Sequence, residues 1–314
     1  MYDDSAPRLH TPLCDLLGIR YPIIQAPMAG GPTTPELIAA VSNAGGLGML
    51  GAARMPLDRL RATIHAIRAL TDRPFGVNFL LAGPDTEPSA EEIAVVRQVL
   101  DRFRAELGLP PGPAELALPP SSLDAAVDLT LEEHVPVLSS GLGDPAPWAS
   151  EAHNSGARVL AMVASVEEAV QVVAGGADVV VAQGAEAGGH RSSFVLGPGG
   201  EVPLVGTLAL TPQVADAVAA PVVAAGGIVD GRGVAAALAL GASGAQLGTR
   251  FLLAREAGTA PAHQQRLLAA VETETAVTRA FSGRPARSLR NRFSEEFAQS
   301  GAEPLPYLLQ GMAA

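Results

Sequence analysis

Short apolar runs alternate with amphipathic stretches along nearly the whole chain. PIIQAPM (Pro22–Met28), GGLGMLG (Gly45–Gly51), FGVNFL (Phe75–Leu80), VPVLSS (Val135–Ser140), ARVLAMV (Ala157–Val163), ADVVVAQ (Ala177–Gln183), PVVAAGG (Pro221–Gly227) and GAQLGTRFLL (Gly244–Leu253) read as buried strands. Between them lie helical segments. One opens on the cap-and-proline start Thr34-Pro35-Glu36, and others cover Leu57–Leu70, Leu123–Leu131, Pro147–Ser155, Ser165–Gly175, Thr211–Ala219 and Arg232–Leu240. PLVGTLAL (Pro203–Leu210) is strand-like, but it runs into Thr211-Pro212, a helix start, and so counts as a loop or helix lead-in. Eight strands alternating with helices predict an α/β fold, a (β/α)8 TIM barrel. A doubly wound open sheet would need a phosphate-binding turn after its first strand, and Met28-Ala29-Gly30-Gly31 lacks the G-x-G-x-x-G spacing.

Three stretches depart from the period. Residues 1–21 form a lead-in with a helical turn near Cys14–Leu17. The connection after the third strand, residues 81–134, is elaborated by a helix from Ser89 to about Leu107, lacking an in-register capping box, and by the turn-rich GLPPGPAELALPP of 108–120. It holds too little apolar material for a core of its own, so it is assigned to a barrel domain spanning 1–256. Residues 257–314 form a C-terminal helical extension packing on the barrel, with a turn at Ser282-Gly283-Arg284-Pro285.

Composition narrows the class. Hydrophobic residues make up 48% of 314 but aromatics only 4%, so alanine, valine and leucine fill the interior, and 34 glycines and 26 prolines mostly punctuate the apolar runs. A net charge of −11 without a basic stripe argues against nucleic acid and anionic membranes. The arginines Arg284, Arg287, Arg290 and Arg292 are the local exception and read as a solvated helix face or ion-pair set. A single cysteine, Cys14, fits a reducing compartment, and MYDDSAPRLH lacks the features of a signal peptide; a cytoplasmic protein is expected. No run is long enough for a membrane span.

The chemistry gathers at one end of the strands. Gln25, Pro27 and Met28 end the first strand, Asn78 lies in the third and Ser140 ends the fourth. Gln183, Gly184, Glu186, Gly188, Gly189 and His190 follow the sixth, Gly226-Gly227 the seventh and Gly248-Thr249-Arg250 the eighth. That is the catalytic face of a barrel. Glycine turns after the last two strands suit a phosphate cradle, with amide hydrogens aimed at the anion; the bland reading is tight turns alone. His190 is the one histidine in such a loop and suits a general base, against a purely structural role. The other histidines are dispersed, no metal-ligand spacing appears, and no metal is expected. Glu186 is not expected to be catalytic.

Four segments carry a family resemblance: Ile24-Gln25-Ala26-Pro27-Met28-Ala29-Gly30, Gln183 to Arg191 (QGAEAGGHR), Ala224-Ala225-Gly226-Gly227-Ile228 with Asp230-Gly231-Arg232, and Gln246 to Leu252 (QLGTRFL). Spread over the whole barrel, they resemble the nitronate monooxygenases (2-nitropropane dioxygenases), related to FMN-dependent enoyl-acyl-carrier-protein reductases and NAD(P)H:quinone reductases. The resemblance implies noncovalent FMN at the barrel mouth, its ring near Ala26, Pro27 and Met28, with Asn78 and Gln183 as polar contacts. Its phosphate would be held by amides of Gly188 or Gly189, Gly226, Gly227, Gly248 and Thr249. His190 matches the family histidine that deprotonates a neutral nitroalkane; the nitronate is then oxidised with O2 to a carbonyl compound and nitrite. QAPMAG leans toward this branch, where enoyl reductases carry a QGGM-like segment. Many relatives have glycine two residues after the histidine, whereas here Arg191 is followed by Ser192-Ser193, a departure that bears on substrate specificity more than on the flavin site. Two alternatives stand beside this reading: an FMN-dependent NAD(P)H:quinone or enoyl reductase, and a flavin-free barrel that uses the cradle for a phosphorylated metabolite.

Overall fold

The structure is a computed structural model and describes residues 9–82, 87–113, 115–118, 121–197 and 201–313. Expectations for residues 1–8 of the lead-in, for 83–86, 114 and 119–120 of the long connection, for 198–200 and for 314 lie outside the described residues. In chain order, α1 (Pro12–Leu17) precedes β1 (Ile23–Gln25), α2 (Pro35–Asn43), β2 (Gly48–Gly51), α3 (Leu57–Leu70), β3 (Phe75–Leu80), α4 (Ala90–Glu106), α5 (Leu123–Glu132) and β4 (Val137–Gly141). Next come α6 (Ala146–Asn154), β5 (Arg158–Val163), α7 (Val166–Ala174), β6 (Val179–Gln183), β7 (Gly189–His190), α8 (Thr207–Ala217), β8 (Val222–Ala225) and α9 (Gly231–Ala239). The chain ends with β9 (Gly244–Leu247), α10 (Pro261–Ala269), β10 (Thr275–Thr278), β11 (Ala286–Leu289), α11 (Arg292–Gln299) and α12 (Leu309–Ala313).

Eight strands pair in parallel in the order β1-β9-β8-β6-β5-β4-β3-β2, and a bridge between Ile24 and Leu47 brings β2 back onto β1. They are the eight runs picked out by the apolar pattern, and the fold is the expected barrel. Side chains alternate between its two surfaces. Ile24, Met49, Val137, Leu160, Val179, Val181 and Val223 form the inner cluster, while Phe79, Leu138, Val159, Ala161 and Val180 pack outward under the helices. Leu13, Cys14 and Leu17 of α1 belong to the inner cluster, and Thr11 Oγ1 donates to Ser243 O (2.6 Å) just before β9. The lead-in thus closes the N-terminal end of the barrel, leaving the C-terminal end for chemistry.

Two helix starts differ from expectation. At α4 the capping box is in register: Glu92 N–H donates to Ser89 Oγ and Ser89 N–H to the Glu92 carboxylate. Helix α8 begins at Thr207, not at Thr211, so Pro212 lies inside it. Glu186 is the reason. Its carboxylate accepts both the N–H and the hydroxyl of Thr207 (2.8 Å each to Oε2), an N-terminal anchor supplied from 21 residues away.

By contact the chain forms two units. The barrel comprises the described residues of Met1–Leu81, Ser122–Ala187 and Ser192–Gln264. The second unit gathers the described residues of Ala82–Ser121, Gly188–Arg191 and Gln265–Ala314. This second unit has an apolar core in which Val96 and Leu100 of α4 meet Phe297 of α11, Leu305, Leu309 and Ala313. The buried face of α4 thus meets the C-terminal helices. The C-terminal stretch is not helical throughout. Strands β10 and β11 form an antiparallel pair, and β11 also pairs with β7. This corrects the expected solvated helix face or ion-pair set for two of the four arginines: Arg287 lies on β11 with Nη1 donating to Thr275 Oγ1 (3.0 Å), and Arg284 is buried, while Arg292 stands on α11, exposed and paired with Glu106 and Glu296. Extended partners at β7 and β10 decide the conformation there, overriding local helix propensity. Among the described residues, no helix is long and apolar enough to cross a membrane.

Candidate active site

The inward-facing positions change character as the barrel strands reach their C-terminal ends. Asn78 of β3, Ser139 of β4, Gln183 of β6 and Gln246 of β9 take the places where an apolar layer would otherwise continue, and all four are buried. Asn78 Nδ2 donates to Ser139 Oγ (3.1 Å), and Gln183 Oε1 accepts the Ser192 N–H (2.9 Å). The barrel floor is therefore apolar and its upper layer carries amides and a hydroxyl. Ser139 was not singled out from the sequence, and Gln246 only as part of a motif with no role assigned, although both fall on the inward parity of their strands.

Above this layer, Ala26, Pro27 and Met28 leave β1 half-buried, next to β9 in the ring. Gly226-Gly227 and Gly248-Thr249 leave β8 and β9, which are themselves neighbours. The amides of these four residues donate no hydrogen bond among the described residues. Gly226 has φ 117°, and a Cβ there would sit 2.7 Å from Thr207 Oγ1. At Gly184 a Cβ would approach the same oxygen to 1.9 Å. The turn after β6 and the turn after β8 therefore close around Thr207, whose hydroxyl also lies 3.0 Å from Gly226 O. Unspent amide donors on glycine turns after the last two barrel strands fit a phosphate group.

His190 belongs to the second unit, as do Gly188 and Gly189, while the other predicted site residues lie in the barrel. Residues Gly189 and His190 form β7, in register with Arg287 and Ala286 of β11. The turn between β10 and β11 brings Ser282 Oγ to 2.8 Å from His190 Nε2, and Tyr307 meets the imidazole edge-on at 5.6 Å. Burial, first, and the positive charge of Arg284, second, push the His190 pKa below its ordinary 6.5. The neutral ring is favoured at physiological pH, the form a base requires.

A sequence model of the nitronate monooxygenases matches residues 10–314. The chain belongs to the nitronate monooxygenase family. A probable nitronate monooxygenase of Staphylococcus aureus is 40% identical over 299 residues, covering 95% of this chain and 83% of that protein. The crystal structure of nitroalkane oxidase from Streptomyces ansochromogenes superposes with a TM-score of 0.85 at 40% identity, over 96% of this chain and 84% of that one. FabK from Thermotoga maritima gives a TM-score of 0.73 at 38% identity, over 91% and 76%. Membership gives the barrel the fold of FMN-dependent oxidoreductases.

Within this nitronate monooxygenase family barrel, Ser192 and Ser193 staple the loop after β7 to the rim. Ser192 Oγ donates to Met162 O (3.0 Å) and accepts from Leu142 N–H (3.2 Å). Ser193 donates to the carboxylate of Glu168, which also accepts the N–H groups of Ala164 (2.7 Å), Phe194 (2.7 Å) and Val195 (3.0 Å). Glu168 is fully buried and makes no ion pair among the described residues, so these four donors are what offset its charge. Sequence reading missed it, because a glutamate in a first helical turn normally signals only a solvated partner of the helix dipole.

Proposed function

We propose that this protein is an FMN-dependent nitronate monooxygenase that oxidises alkyl nitronates, and neutral nitroalkanes after proton removal, with O2 to carbonyl compounds and nitrite. The observation that carries the reading is the set of unspent amides at Gly226-Gly227 and Gly248-Thr249, beside Ala26–Met28, in a barrel of this family. Those amides, with Gly188 or Gly189, would hold the FMN phosphate. Ala26, Pro27 and Met28 would border the ring and exclude water, and Asn78 and Gln183 would supply polar contacts. When bound, FMN supplies the redox chemistry.

The chain's own contribution to proton transfer is His190. Its ring, held at Nε2 by Ser282 and kept neutral by burial and Arg284, takes the proton from the carbon beside the nitro group. A nitronate arrives already deprotonated and bypasses that step. The test is oxygen uptake and nitrite release from propyl nitronate by the yellow, purified protein. A second reading, an NAD(P)H:quinone or enoyl reductase on the same flavin site, draws on the likeness to FabK. It would replace the first if the flavin were inert to nitronates and rapidly reduced by NADH or NADPH. A colourless protein releasing no flavin would instead favour the phosphorylated-metabolite barrel.

A further inference from the structure

The loops after β1 and β2 enclose a cavity of about 370 Å³, lined by Gly30, Gly31, Thr33, Arg54, Arg59 and Thr63 among others. Among the described residues no aspartate or glutamate lines it; Glu36 and Asp58, in the first turns of α2 and α3, are not part of its wall. Arg54 and Arg59 make no ion pair and donate no side-chain hydrogen bond among the described residues. Farther along α3, Arg61 and Arg68 show the contrast, since both are tied to Glu133. In a chain of net charge −11, two guanidinium groups without a counter-charge on one cavity stand out.

The hydroxyl of Thr33 is already spent on the wall. It donates to Met28 O and accepts from Gly51 N–H. The amides of Gly30, Gly31, Ala53 and Arg54, by contrast, donate to no acceptor among the described residues. What remains for a guest is thus a set of donors, two of them charged. We propose that this cavity binds a phosphate group, at a site separate from the turns after β8 and β9. Two positive charges match a dianion, and a guanidinium can give two parallel hydrogen bonds to a pair of phosphate oxygens. A carboxylate would satisfy one arginine and leave the other unmatched. The volume, equal to roughly a dozen waters at about 30 Å³ each, leaves room for an organic group on the phosphate.

The proposal goes beyond the flavin reading and is tested independently of it. Calorimetric titration of the purified protein with inorganic phosphate should show one saturable site that acetate at equal ionic strength does not compete for. The exposed substitutions Arg54→Gln and Arg59→Gln together should weaken it by about tenfold or more. Arg73→Gln, an exposed arginine away from the cavity, should leave it unchanged. Phenyl phosphate serves as a second probe: tighter binding than inorganic phosphate assigns the site to a phosphorylated metabolite, and equal binding assigns it to the free ion. The titration is repeated with saturating FMN. Competition by FMN would place the phosphate in the flavin cradle and overturn the separate site, as would absence of saturable binding, equal competition by acetate or an equal loss in Arg73→Gln. Failure of FMN itself to bind would count against the flavin reading and leave the phosphate result standing.

Discussion

His190 Nε2 lies 2.8 Å from Ser282 Oγ, across 92 residues of sequence, because β7 pairs with β11 and the turn before β11 carries the serine. That contact fixes a ring whose burial favours the neutral form. Replacing His190 by asparagine should lower turnover of neutral nitroalkanes by about a hundredfold or more, the usual scale of a lost general base. Turnover of pre-formed nitronates should stay within severalfold of the original. Parallel kinetics on nitroethane and its nitronate check this, and an equal, large loss on both substrates would remove His190 from the base role.

Arg284 is the second cause of the lowered His190 pKa, so Arg284→Gln should move that pKa upward toward 6.5. The sign for catalysis follows directly. A base with a depressed pKa stays active as pH falls to that value, so the acid limb of the neutral-nitroalkane profile should lie below 6.5 in the original protein and rise in the variant. The same linkage makes this histidine's stability contribution complete above about 6.5 and lost as pH falls toward the folded-state value. Imidazole NMR titration of both proteins reads the shift; an unchanged or lower pKa in Arg284→Gln would contradict the assignment.

Glu168 should be a costly residue to remove. Alanine leaves the Ala164, Phe194 and Val195 amides and the Ser193 hydroxyl without their acceptor, and stability should fall by about 3 kcal/mol. Urea unfolding with an unchanged slope measures this, and a loss below about 0.5 kcal/mol, typical of a surface substitution, would show that water replaces the carboxylate.

Gly226→Ala places a side chain at φ 117° and 2.7 Å from Thr207 Oγ1. Backbone strain alone costs about 1–3 kcal/mol. Because the adjoining amides are those assigned to the FMN phosphate, the variant should lose FMN affinity more than it loses stability. Fluorescence titration of FMN beside thermal melting separates the two, and full retention of affinity would move the phosphate elsewhere.

The eight barrel strands were legible because each is an apolar run long enough to be buried on both faces, and Gln183 and Asn78 were legible as polar residues at the end of, and within, such runs. The start of α8 was not, since its anchor, Glu186, lies across a loop where no local pattern announces it. Strand β11 was read as helix because ARSL is helix-compatible and only pairing with β7 and β10 makes it extended, whereas the β-branched Thr275, Val277 and Thr278 of β10 were a strand signal left unused. The Ser89–Glu92 box was present in the sequence at the right spacing but was read as out of register. Glu168 was hidden for a different reason: burial, which gives that carboxylate its importance, leaves no mark on the residue itself.

The central claim is that the barrel rim holds FMN and presents it to a nitronate. The most direct measurement is anaerobic mixing of the purified protein with propyl nitronate, followed at flavin wavelengths. The account predicts a flavin spectrum in the starting protein, its loss on adding nitronate without any nicotinamide, and its return with nitrite when air is admitted. A protein that takes up no flavin, or whose flavin is untouched by nitronate and bleached only by NADH or NADPH, would contradict it.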